Sequence, residues 1–237
     1  MALTTAVWPN TSAGEVVYRE TFPRAANADG PDDARLLGDG WNLNWQSKAM
    51  SGDRAAFNSN HANGGSPQDL PAINASAESN APTRDGYVLH GYDWTGPHLF
   101  WTQEFEIDRT QWDVTGFAWR QADNDRDAET REPTAKPSEF RVAVRVGTDW
   151  YVSSQAFATD GPFGVYNMNA SAQAMSLAVA SASWLPLEFV PTRALAFDTS
   201  ATSVDLPVGI VTAFGLYIDK RTRHIAFDTF EVTASRR

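Results

Sequence analysis

Apolar and polar residues alternate along most of this chain with a period of two. That is the signature of half-buried β-strands, whose successive side chains point to opposite faces. A period near 3.6 is scarce. The alternation predicts strands near residues 15–22, 41–47, 86–93, 98–107, 114–122, 139–147, 149–157, 174–181, 184–190, 209–219 and 223–233. Turn-forming residues separate them, among them Asp29-Gly30-Pro31, Asp85-Gly86, Gly147-Thr148-Asp149 and Pro207-Val208-Gly209. Many short strands without intervening helices predict a β-sandwich or barrel. Residues 48–85 and 123–138 read as long loops. The strand pattern is the same on both sides of each, so the chain reads as one domain over 15–237 with a tail at 1–14.

Face assignment turns the pattern into a candidate site. In "EFRVAVRV", Phe140, Val142, Val144 and Val146 share one face, and Glu139, Arg141, Ala143 and Arg145 share the other. The apolar face needs a second sheet to cover it. The same alternation groups Tyr151, Ser153 and Gln155 in the next strand, Arg120 with Ala118 and Ala122, and Tyr217 with Ala213 and Gly215. If these strands are neighbours, one water-facing sheet face gathers Arg120, Arg141, Arg145, Tyr151, Gln155 and Tyr217 among small residues. Tyrosine rings stack on the CH faces of sugars, and Arg and Gln bond their hydroxyls. Three arginines on one face suggest an acidic glycan, or else internal ion pairs with Glu139 and Asp219. A solvated sheet face laced with salt bridges is the competing reading.

Composition narrows the function classes. The chain has 237 residues, 42% of them hydrophobic, enough for a sizeable core. No apolar run reaches the length of a membrane-spanning helix. A net charge of −10 argues against a nucleic-acid partner. There is no cysteine, which excludes disulfides and zinc–thiolate sites. No signal peptide follows Met1, which is expected of a cytoplasmic protein or of a secreted domain without its leader. The four histidines, at 61, 90, 98 and 224, have no ligand spacing. "DNDRDAE" at 123–129 starts like a calcium loop but lacks the glycine and glutamate that an EF-hand needs. Glu104 and Glu106 could mimic paired catalytic carboxylates, although an exposed edge fits them better.

The closing stretch "LPVGIVTAFGLYIDKRTRHIAFDTFEVTA" resembles the end of jelly-roll domains of the laminin-G, concanavalin-like and carbohydrate-binding-module type. Those finish with a hydrophobic strand, a turn and a last strand of the form aromatic-Asp-x-hydrophobic-x-Val. "EVVYRETF" resembles their first strand, and "SWLPLEF" a later strand that begins with Trp. The resemblance implies an antiparallel jelly-roll sandwich and a non-catalytic role in binding polysaccharide, in a secreted or surface-exposed glycan-degrading system. It also implies that first and last strands meet and share a structural Ca2+, with Glu20 and Asp228 as the matching ligands. Asp228 capping a turn, or pairing with Arg19 or Arg223, is the alternative. A polysaccharide lyase or glycoside hydrolase on the same sheet is the second functional expectation. Arg141, Arg145, Gln155 and Tyr217, with His90 or His98, would then imitate a lyase centre. The Arg-x-Glu-x-Arg, Gln-x-His and Glu-x-Asp-x-x-Glu signatures of such enzymes are missing.

Overall fold

The computed structural model describes residues 14–20, 41–45, 48–50, 72–74, 87–90, 96–123, 136–159, 173–189, 195–222 and 225–237. Its strands are β1 (Glu15–Glu20), β2 (Trp41–Trp45), β3 (Lys48–Met50), β4 (Ala72–Asn74), β5 (Tyr87–His90), β6 (Gly96–Thr102), β7 (Ile107–Asp108), β8 (Trp112–Asp123), β9 (Glu139–Val146), β10 (Asp149–Ser153), β11 (Gln173–Ala178), β12 (Trp184–Glu188), β13 (Ala196–Phe197), β14 (Ile210–Lys220) and β15 (Ile225–Arg236). They form two antiparallel sheets. One runs β11-β8-β15-β5-β4, with β1 also on β15; the other runs β13-β12-β10-β9-β14-β6-β2-β3, with β7 also on β14. The molecule is a single-domain β-sandwich, as the alternation predicts. Strands β3 and β4 fall inside the stretch expected to be loop. The rest of that stretch, most of 123–138 and the tail up to residue 13 lie outside the described residues.

The core is the product of the two inner faces. Phe140, Val142 and Val144 of β9 and Phe214, Leu216 and Ile218 of β14 meet Phe117 and Trp119 of β8 and Phe227, Phe230 and Val232 of β15. Aromatic edges and faces interlock there: Trp41 meets Phe230 at 5.4 Å and Phe100 meets Phe227 at 5.0 Å, both edge-on. Two of the core indoles bring hydrogen-bond partners with them. Trp41 Nε1 donates to Tyr18 Oη at 2.9 Å, and Trp119 Nε1 donates to Gln121 Oε1 at 2.8 Å. Trp184 Nε1 is buried and finds no acceptor among the described residues.

The hairpin end of the sandwich holds a denser polar group. Asp123 accepts from Ser138 N at 2.5 Å and from Thr222 Oγ1, and Ser138 Oγ lies 3.0 Å from Thr222 Oγ1. Lys220 and His98 are also fully buried. His98 Nδ1 donates to the Gly96 carbonyl at 2.8 Å, so the neutral ring carries its proton on that nitrogen.

Asp228 shows how the last strand is built. Phe227 and Phe230 are three residues apart, so strict alternation would put them on opposite faces; both are in the core. A bulge resolves the conflict. From Asp228 to Glu231 β15 advances three residues while β8 advances two, Arg120 to Ala118. The extra residue, Thr229, takes φ 51, and its N–H is held by Asp228 Oδ1 at 2.6 Å. A β-branched residue in that left-handed region is strained. Thr229→Gly is therefore expected to raise stability by about 1 kcal/mol, the relieved strain less the extra chain entropy of glycine. A higher urea midpoint at unchanged slope is the readout.

Candidate functional site

The candidate site lies on the outer face of the nine-stranded sheet. Registers define what meets there. Tyr217 of β14 stands opposite Arg141 of β9, and Asp219 stands opposite Glu139. On the other side of β14, Tyr217 faces Leu99 and Gly215 faces Trp101 of β6. The two-residue turn Gly147-Thr148, with Gly147 at φ 59, closes β9 onto β10 so that Trp150 lies opposite Arg145 and Val152 opposite Ala143. Trp150 and Val152 continue to Leu187 and Leu185 of β12. The face thus carries a second hydrophobic cluster: Leu99, Ala143, Trp150, Val152, Leu185, Leu187, Leu195, Ala213 and Tyr217, with Trp101, Phe189, Phe197 and Ala201 against it.

This face is concave. β13 lies four strand intervals from β14, a flat-sheet separation of about 19 Å. Yet the Phe197 and Tyr217 rings meet edge-on at 5.1 Å. Neither ring can lean far enough to close that gap, so the β12–β13 edge curls back over the face. The segment behind it returns to β12 at the Trp184–Val204 bridge. Asp198 ties the intervening turn, accepting from Ser200 N at 2.8 Å and Ser200 Oγ at 2.7 Å. Those bonds hold the Asp198 carboxyl below its usual range.

Two subsites result. At one end Trp101, Trp150 and Phe189 form a mutual edge-on triangle, with centroids 5.6, 6.2 and 5.4 Å apart. Trp101 and Phe189 are half-buried. The Arg145 guanidinium lies over Trp101 and Trp150 at 5.9 and 5.7 Å. At the other end Arg141 lies over Phe197 at 5.1 Å and donates to the carbonyls of Ser153, at 2.9 Å, and Ser154. It also pairs with Glu139 at 3.6 Å. Arg221 bridges Glu139 and Asp219 at 2.9 and 2.7 Å.

The six expected ligand-binding residues are divided by this geometry. Arg141, Arg145 and Tyr217 share the concave face. Arg141 and Tyr217 lie on its floor, 8% and 5% exposed, beneath Phe197 rather than open to water. Burial pushes the Tyr217 phenol well above its ordinary range. Tyr151 is on the inner side, opposite Val144 and packed on the core. Arg120 belongs to the other sheet, where it stands opposite Asp228. Gln155 is exposed beyond the end of β10. The alternation missed Trp101, Phe189 and Phe197 as site residues. The apolar run Leu99-Phe100-Trp101 reads as core on both sides, which is how a strand covered on both faces looks.

The first and last strands do meet: β1 pairs with β15, and Arg19 pairs with its opposite residue Glu231. The two expected calcium ligands take different register positions on β15. Glu20 stands opposite Phe230, whose ring is in the core, whereas Asp228 stands opposite Arg120 on the outer face. Among the described residues no group of three or more His, Asp or Glu is gathered as a metal site. Glu104 and Glu106 follow the end of β6 and are exposed. His90 sits at the end of β5, while His61, His224 and Trp94 lie outside the described residues.

Among known proteins, no family model matches this chain and no curated protein matches it in sequence.

Proposed function

We propose that this β-sandwich binds carbohydrate without cleaving it, through the concave outer face of its nine-stranded sheet. The observation that carries this reading is the aromatic triangle of Trp101, Trp150 and Phe189 with Arg145 laid over it. A half-buried indole beside guanidinium donors is chemically matched to a sugar, which has apolar CH faces and a rim of hydroxyls. The concavity lets such a ring be flanked on two sides. The pairing of the first and last strands supports a jelly-roll arrangement like that of carbohydrate-binding modules, and we read the domain as part of a secreted polysaccharide-degrading system.

Catalysis is the weaker reading of the same face. A lyase centre needs a tyrosine or imidazole that gives up its proton near neutral pH. Tyr217 holds its proton far more tightly than a free phenol does. The arginine opposite it is spent on Glu139 and backbone carbonyls.

Affinity electrophoresis in gels containing single polysaccharides tests the proposal. The wild type is expected to be retarded by at least one of them without shortening it. Trp101→Ala is expected to weaken that retention by about tenfold or more, the worth of ~1.5 kcal/mol of stacking. Retention that survives Trp101→Ala intact would place binding elsewhere. Release of unsaturated or reducing sugar ends would make the protein an enzyme.

A further inference from the structure

The arginines on the concave face are not equivalent, and the difference bears on which glycan it takes. Arg141 is neutralised by Glu139 and donates to two backbone carbonyls. Arg221 is shared between Glu139 and Asp219. Arg145 has no such partner among the described residues. Among them its hydrogen bonds go to Thr212, from Nε to Oγ1 at 2.7 Å and from one terminal nitrogen to the carbonyl at 3.3 Å. No ion pair among the described residues joins it to a carboxylate, although the Glu106 charge acts on it. Among the described residues nothing accepts from the Nη1 end, opposite the edge that holds Thr212. Both indoles beneath the guanidinium strip water from it without neutralising it, and that burial pulls its pKa down.

We infer that Arg145 is an oxyanion subsite, and that the glycan bound on this face carries a carboxylate or sulfate group. This rests on the proposed function and names its ligand class. A planar guanidinium held beside two indoles that meet edge-on matches a planar carboxylate or one edge of a sulfate, with charge-assisted bonds stronger than those to a hydroxyl. Thr212 fixes the plane. It is the extra residue in the register shift between Val211 and Ala213, and its Oγ1 also donates to the Gly147 carbonyl at 2.9 Å. The bulge thus orients Arg145 through a threonine tied to the β9–β10 turn. The sugar ring that bears the anion lies against Trp101 and Phe189, the half-buried members of the triangle.

Isothermal titration calorimetry with two matched polymer pairs tests the inference. One pair is polygalacturonate and its methyl-esterified form; the other is chondroitin sulfate and its desulfated form. The pair that shows the preference identifies the anion. The wild type is expected to bind one polymer about tenfold or more tighter than the partner from which the carboxylate charge or the sulfate has been removed, with the preference shrinking as salt is added. Arg145→Gln is expected to bring that ratio to about one. Arg145→Lys keeps the charge but loses the planar fork, and serves if the Gln variant does not fold; it is expected to retain only a weak, salt-sensitive preference. Equal wild-type affinity within both pairs, with binding still lost in Trp101→Ala, would overturn the anion assignment and leave carbohydrate binding standing. Binding indifferent to Trp101→Ala, or no binding to any glycan, would overturn both.

Discussion

Gly215→Ala is expected to destabilise the protein by more than ~3 kcal/mol, the cost of overpacking against atoms that cannot move aside. A Cβ at this position would lie 1.9 Å from the Phe100 carbonyl oxygen and 2.7 Å from the Trp101 Cα. Both are backbone atoms of the neighbouring strand β6, so no rotamer change relieves the clash. Strands β14 and β6 would have to separate at the middle of the sheet, where Phe214 and Leu216 enter the core on one side and Trp101 stands on the other. A loss of that size lowers the melting temperature of a domain this large by roughly 10 °C. Gly147→Ala gives the contrast. Nothing lies within 4 Å of its Cβ, and only its φ of 59 resists the change; about 1 kcal/mol is expected there. Equal losses in the two variants would contradict the close approach at Gly215. The same glycine keeps the floor of the proposed site low beside Trp101, so a variant that still folds should also bind poorly.

Acid should unfold the protein early, and His98 should account for much of the effect. Its ring is fully buried beside Lys220, and burial with that positive neighbour lowers its pKa from 6.5 to about 3. The unfolded chain takes up this proton as pH falls below 6.5, while the folded chain takes it up only near 3. Folding stability is therefore unaffected by this group above pH 7. It falls through the window from 6.5 to 3 by up to ~1.4 kcal/mol per pH unit, then levels off. From pH 7 to pH 4 the loss is about 3 kcal/mol. His98→Asn retains an N–H near the position that donates to Gly96 but has nothing to titrate. Its urea-derived stability is expected to be lower at pH 7, because the smaller side chain leaves a gap, and to fall less steeply into acid. Parallel pH profiles for the two proteins would show that His98 is protonated in the native state.

The fold was legible because the inner faces obey the period-two rule. Phe140, Val142 and Val144 fall on one face in the structure as they do in the alternation. The site was only partly legible, for three separate reasons. The apolar residues of β10 alone do not say which of its faces is inner, and Tyr151 lies on the inner one. The two-residue turn Gly147-Thr148 fixes the register across the hairpin and puts Trp150, not Tyr151, beside Arg145. Arg120 illustrates a harder limit. Its strand alternates like the others, and nothing local says that β8 pairs with β15 and β11 rather than with β9. The third reason is tertiary. Phe197 comes over Tyr217 and Arg141 only because the far edge of the sheet curls, and that curl is a property of nine strands together. The carboxylate between Phe227 and Phe230 belongs to the legible class in retrospect. Two core aromatics three residues apart in a strand require a bulge, and Asp228 is placed to hold one.

The central claim is that the concave outer face binds the glycan. Indole N–H resonances of uniformly 15N-labelled protein, assigned by single Trp→Phe substitutions, test it most directly during titration with the best-retained oligosaccharide. The predicted result is a saturating shift of Trp101, with Trp150 following, while the core indoles of Trp41, Trp119 and Trp184 stay in place. Saturable binding that leaves Trp101 unmoved would contradict the account.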